Sequence, residues 1–188
     1  MKTNPNKGFT IVELLIVIVI ISILTAITVV AYNGIQGRAV ATKAGSVAST
    51  YAKVLEMYYI DNGHFPAIGE DKACLGMVDD YPAKDLLGEG QCSSMPTLEA
   101  SVNETFNQAV LPYLSNIPDG SFPVIALGEY AIRGIIYQTS ENTQAYALYY
   151  VLAGDVASSC YSTGYSDEDE ETGQVLTECS HYVDYSSE

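Results

Sequence analysis

The sequence contains no tryptophan, only two histidines, and no lysine or arginine beyond Arg133. It lacks the G-x-S-x-G, H-E-x-x-H and P-loop strings that position a nucleophile, a zinc ion or a nucleotide, so no catalytic constellation is legible. His64 and His181 sit in unrelated settings. His181 lies two residues from Cys179, but an oxidised Cys179 is no nucleophile. No C-x-x-C spacing occurs among the four cysteines, which argues against a zinc site, and the composition calls for no cofactor. The formal charge of -15 repels phosphate backbones and disfavours direct nucleic-acid binding. Proline is absent between Phe9 and Phe65, so nothing of that kind interrupts a helix there.

What is present begins with a short polar leader, Met1 to Gly8, carrying Lys2 and Lys7. After it, Leu14 to Gly37 is an uncharged stretch of 24 residues. At about 1.5 Å per residue it reaches roughly 36 Å as a helix, enough for a bilayer core. Glu13 stands at its head, where a carboxylate is costly in lipid and marks a functional position. The lysines favour a cytoplasmic N-terminus and an exported C-terminal part. A cleaved secretory signal is the alternative, with Val29-Val30-Ala31 as a loose cleavage pattern. The length of the apolar run and the presence of Glu13 weigh against it.

From Arg38 the pattern becomes amphipathic. Val40, Ala44, Val47, Tyr51, Val54, Leu55 and Tyr58 recur at helical spacing, with Thr42, Ser46, Ser49, Lys53 and Glu56 on the other face. One helix from Phe9 to Ile60, roughly 78 Å long, is expected to end at Asp61-Asn62-Gly63, with Gly63 as its left-handed cap. Asn33-Gly34 and Gly37 are its weak points. His64 reads as a cap or surface residue.

The remainder, 64–188, reads as one globular head. Its cysteines, Cys74, Cys92, Cys160 and Cys179, suit disulfides in an oxidising compartment. Three pairings are possible, and the sequence-local choice is Cys74–Cys92 with Cys160–Cys179. Ala67 to Met95 is loop-rich. Thr97 to Leu111 reads as a short helix entered after Pro96 and ended by Pro112. Phe122 to Leu127, Tyr130 to Gln138 and Ala145 to Ala153 read as strands, and Gln174 to Val183 as an edge strand. The fold class is therefore α+β, a long N-terminal helix packed on a small antiparallel sheet. Arg133 is expected on the open face, solvated. Asp167 to Glu171 is a run of five acids that reads as solvated surface, with calcium binding and partner docking as alternatives. Asn103-Glu104-Thr105 matches a glycosylation tripeptide and carries low weight.

The string Lys7-Gly8-Phe9-Thr10-Ile11-Val12-Glu13-Leu14-Leu15-Ile16-Val17-Ile18 resembles the class III leader of type IV pilins and type II secretion pseudopilins. Tyr58-Tyr59-Ile60-Asp61-Asn62-Gly63-His64-Phe65-Pro66 resembles the end of their long helix. The resemblance implies a pilin-like fold, cleavage between Gly8 and Phe9 by a prepilin peptidase, N-methylation of Phe9, and a role for Glu13 in assembly. Loss of the leader would take the formal charge from -15 to -17. Phe9 and Glu13 are spaced i, i+4 and share a helix face. Glu13 either neutralises its own chain's Phe9 amine or meets that of a neighbouring subunit, the second being the assembly reading. The implied parts are a leader, 1–8, a transmembrane or filament-core half-helix, 9–37, an amphipathic half, 38–63, and the head, 64–188. The implied partners are identical or related subunits, the peptidase, and a membrane platform with a cytoplasmic ATPase. The implied locations are the cytoplasmic membrane and a surface filament. Family members often carry a proline in the apolar run, and this chain has none. A secretion or competence pseudopilin, and a tethered binding domain that never polymerises, are the competing readings.

Overall fold

The computed structural model describes residues 9–69, 72–170 and 172–186, without the side chains of 27–34. The chain divides into two units between Gln36 and Gly37. Helix α1 spans Ile11–Asn62, and its backbone is helical through Asn33, Gly34 and Gly37. It stops where the sequence supplies a stop. Gly63 takes φ +74°, and its N–H donates to the Tyr59 carbonyl at 2.7 Å, closing the last turn.

In the first unit the described side chains from Phe9 to Ala26 are all exposed. In the second unit α1 buries one stripe, with Ala41, Ala44, Ala48, Tyr51, Ala52 and Leu55 fully enclosed and Val47 and Val54 nearly so. The alanines belong to that stripe as much as the larger residues, because they let the sheet approach the helix closely. Enclosing each large side chain contributes about 1.5–3 kcal/mol.

The strands of the head are β1 (Lys72–Cys74), β2 (Gln91–Ser93), β3 (Ala100–Ser101), β4 (Ser121–Leu127), β5 (Tyr130–Gly134), β6 (Ile136–Thr139), β7 (Ala145–Ala153), β8 (Thr163–Glu168) and β9 (Val175–Asp184). They form two antiparallel sheets, β1-β6-β7-β9-β8 and β3-β2-β5-β4. The first packs Tyr137, Tyr146, Leu148, Tyr150, Leu152 and Cys179 towards the α1 stripe in one core. A second core joins Ile136 and Val151 of that sheet to Ile125 and Ile132 of the smaller one, around Tyr81 and the Cys74–Cys92 bridge.

Several sequence expectations are corrected. Tyr130 to Gln138 is not one strand. It breaks at Ile135, whose N–H donates to the Gly120 carbonyl and whose carbonyl accepts from Leu75, so β5 and β6 serve different sheets. Gly134 stands at the break because Tyr81 occupies the space a Cβ would take, its hydroxyl 2.6 Å from that point. The strand near the C-terminus is interior, not an edge. β9 runs between β7 and β8, and β8 is the edge. The helix expected from Thr97 is shorter: α2 spans Glu104–Val110, capped by Asn103, whose side chain accepts from the Phe106 N–H at 3.0 Å. Ala100 is drawn instead into pairing with Ser93. Pro112 lies in the 3-10 turn Leu111–Tyr113 that follows.

Candidate functional site

The start of α1 combines a large exposed apolar surface with one carboxylate. Phe9 is 82% exposed and precedes the helix. Ile11, Val12 and ten further large apolar residues through Leu24 are exposed on every side of the helix. Among the described side chains two hydroxyls interrupt this surface after Glu13, and both turn inward. Ser22 Oγ donates to the Ile18 carbonyl and Thr25 Oγ1 to the Ile21 carbonyl, each at 2.7 Å. Neither therefore needs water, which suits an apolar surrounding.

Glu13 closes a capping box. Its Oε2 accepts from the Thr10 N–H and from the Thr10 hydroxyl, each at 2.8 Å, while Thr10 Oγ1 accepts from the Glu13 N–H at 3.2 Å. The carboxylate thus sits at the positive end of the helix dipole. Sequence reasoning paired Glu13 with Phe9 and passed over Thr10, although Thr10-Ile11-Val12-Glu13 carries the T-x-x-E signal of a capping box. Gly8, the leader 1–8, and the side chains of Val29, Val30 and Ala31 lie outside the described residues. Among the described residues no helix is long and apolar enough to cross a membrane; the stretch read as a span, Leu14 to Gly37, includes the undescribed side chains 27–34.

In the head, Cys74 is bonded to Cys92 and Cys160 to Cys179, with Cα separations of 5.8 and 5.4 Å. Cys179 is wholly buried under α1 and Cys160 half-buried beside it. Arg133 overturns its expected solvated position. It is 4% exposed, lies over the Tyr81 ring, and donates to three carbonyls, Gln91 and Gly88 at 2.9 Å each and Pro82. A guanidinium spreads its donors in a plane, so one side chain gathers the 82–91 loop. The sequence held a signal for this, since Arg133 interrupts an otherwise apolar strand.

His64 packs edge-on against Tyr58, and its Nδ1 lies 2.8 Å from the Phe65 carbonyl. His181, on β9, lies between the Tyr146 and Tyr161 rings with Nε2 3.2 Å from the Tyr146 hydroxyl. Burial holds its pKa below the ordinary value, against a smaller opposite pull from Glu56. The structure does not bring the two histidines together. Of the acidic run, Asp167 and Glu168 belong to β8, and Asp169 accepts from Thr172 in the turn that follows; Glu171 lies outside the described residues. No group of three or more metal-ligating side chains is found among the described residues.

The family defined by a prokaryotic N-terminal methylation motif matches residues 3–29. The chain is 41% identical over 77 residues to a fimbrial protein, EcpC, of Eikenella corrodens, covering 41% of this chain and 48% of that one. It is 35% identical over 96 residues to type II secretion system core protein G of Escherichia coli K12, covering 50% and 66%. It is 34% identical over 84 residues to type IV major pilin protein PilE1 of Neisseria gonorrhoeae, covering 45% and 48%. The chain thus spans about half the length of the fimbrial and pilin relatives and 66% of the secretion protein. No solved structure matches it.

Proposed function

We propose that the chain belongs to the type IV pilin and type II secretion pseudopilin family and is a structural subunit that polymerises through α1 into a cell-surface filament serving adhesion, twitching motility or DNA uptake. The observation that carries this reading is the start of α1, an apolar surface exposed on all sides and headed by a single capped carboxylate. Such a surface is stable only against lipid or other apolar helices. Before assembly lipid covers it, with the head outside the cytoplasmic membrane. In the filament, copies of the same helix cover it, so the apolar environment is kept through the transfer.

In this reading a prepilin peptidase cuts between Gly8 and Phe9, and Phe9 is N-methylated. The new amine lies one residue from the capping box. Glu13 exchanges its Thr10 contacts for the amine of a neighbouring subunit, which neutralises both charges in a medium where a lone one is strongly unfavourable. The work of extraction falls to a membrane platform with a cytoplasmic ATPase. The head carries no catalytic role in this scheme, and its two disulfides keep it folded outside the cell.

The second reading, a pseudopilin of a secretion or competence machine, is favoured by the similarity to a type II secretion core protein. Mass spectrometry of the mature chain tests the common premise: a methylated Phe9 N-terminus supports both readings, and a start near Tyr32 removes both. Electron microscopy of sheared surface material then separates them, since long filaments containing this chain support the pilus and their absence the pseudopilus.

A further inference from the structure

The face of the larger sheet turned away from α1 carries exposed aromatic rings and carboxylates at its β9–β8 end. Antiparallel register sets Tyr165 opposite Glu178 and Asp167 opposite Leu176 across β8 and β9, and Tyr149 opposite Ser180 across β7 and β9. Tyr182 lies further along the same face of β9. Tyr165 and Tyr182 are 62% and 64% exposed, large rings left open where a core strand would bury them. Each hydroxyl is tied to a carboxylate two residues on, Tyr165 to Asp167 and Tyr182 to Asp184, both at 3.0 Å. The rings are therefore held in place before any partner arrives.

Charge identifies what fits. Beyond Arg133 the chain carries ten acidic residues and no lysine or arginine. The ion pair Lys43–Asp119 joins α1 to the head away from this face. Anionic partners, and a second copy of this acidic face, are repelled. Fixed aromatic rings alternating with carboxylates offer an ammonium or guanidinium both a ring face and a counter-charge. β8 is also an edge strand, with its outer backbone open to pairing.

From this we propose that the β9–β8 part of this face, beyond the region of β7 covered by the smaller sheet, docks an arginine- or lysine-bearing segment of another protein, laid along β8 with its cationic side chains over Tyr165 and Tyr182. Cation–π contact and a neighbouring carboxylate select the positive residues, while strand pairing sets direction and register. The proposal rests on the head alone and is independent of whether the subunit forms a pilus or a pseudopilus.

The test uses the full chain in detergent micelles and a labelled peptide of alternating arginine and threonine about eight residues long, the length of a short strand, read by fluorescence anisotropy. Tyr165→Ser with Tyr182→Ser leaves the charge unchanged. It weakens binding by about five- to tenfold, as the loss of two exposed cation–π contacts would. Asp167→Asn with Glu178→Gln weakens binding by more than the charge-matched pair Asp79→Asn with Glu89→Gln, which lie off this face. Unchanged thermal midpoints for the exposed tyrosine variants exclude loss of fold. Equal binding by the tyrosine variant and the parent, or equal weakening by both charge pairs, reduces the contact to diffuse attraction and overturns the proposal. Competition by about 5 mM calcium, a concentration that fills weak extracellular calcium sites, also overturns it by turning the face into a metal site.

Discussion

From Phe9 to Ala26 every described side chain is exposed and nearly all are apolar; from Ala41 to Leu55 the same helix hides its apolar residues along one stripe and turns Thr42, Lys43, Ser46 and Lys53 outward. Helix geometry is the same in both stretches, so the difference lies in what completes each. The later stretch finds its partner within the chain, in Tyr137, Tyr146 and Tyr150 of the larger sheet. The earlier stretch carries its partner's description in its composition, a medium or neighbour that is apolar all round. Substitutions should therefore separate into those that damage assembly and those that damage the head.

The sharpest separation comes from Glu13→Ala. We expect membrane insertion and the thermal midpoint of the head to be unchanged, with filaments reduced to background in sheared fractions. Normal filament yield would remove Glu13 from the assembly scheme. Gly120→Ala probes the other side. A Cβ there would lie 2.0 Å from the Leu75 carbonyl oxygen, an overlap that backbone must move to relieve. A loss of about 3 kcal/mol or more in chemical denaturation is expected, with filaments lost only because the head unfolds.

Arg133→Met keeps the apolar stem and removes the fork that holds Pro82, Gly88 and Gln91. Leaving three carbonyls short of a donor should cost about 2–4 kcal/mol, and hydrogen exchange should rise first in the 82–91 loop. Protection unchanged there would mean that the Cys74–Cys92 bridge alone orders the loop.

The smallest expected effect is on pH dependence. Burial depresses the His181 pKa in the folded head, so the unfolded chain takes up the proton more readily. Stability from this group is complete above the ordinary value of 6.5 and falls as pH drops towards the folded value. A thermal midpoint declining between about pH 7 and pH 5, with a shallower decline in His181→Gln, is the expected outcome. Parallel curves would assign the decline to other groups.

The helix and its end were legible because their signals are local. Apolar continuity, then amphipathic spacing, then Asn62-Gly63 each act within a few residues, and Gly63 adopts the left-handed backbone its position calls for. The exposed apolar start of α1 was legible for the same reason, whereas its Thr10–Glu13 cap was masked by the equally local i, i+4 spacing of Phe9 and Glu13. What stayed hidden depends on distant partners. Nothing within Tyr130 to Gln138 announces that Ile132 and Ile135 enter different cores; Gly134 marks the place only once Tyr81 is known to lie against it. Arg133 stands out within an apolar strand, but the carbonyls that receive it lie in the distant 82–91 loop. β8 escaped because an edge strand with one face in water, Thr163 to Glu168, looks in sequence like any polar loop.

The Cys160–Cys179 bond gives the end of the chain a modular character. It fixes the base of the β8–β9 hairpin beneath α1, while the turn beyond is closed by its own contacts, with the Asp169 N–H donating to the Gln174 carbonyl and the Gly173 N–H to the Asp169 carbonyl, both at 2.8 Å. Changes at the tip are thereby insulated from the core. The tip behaves as a cassette, a place where an epitope or a reporter peptide can be displayed from the head and where sequence can change without rebuilding the fold beneath it.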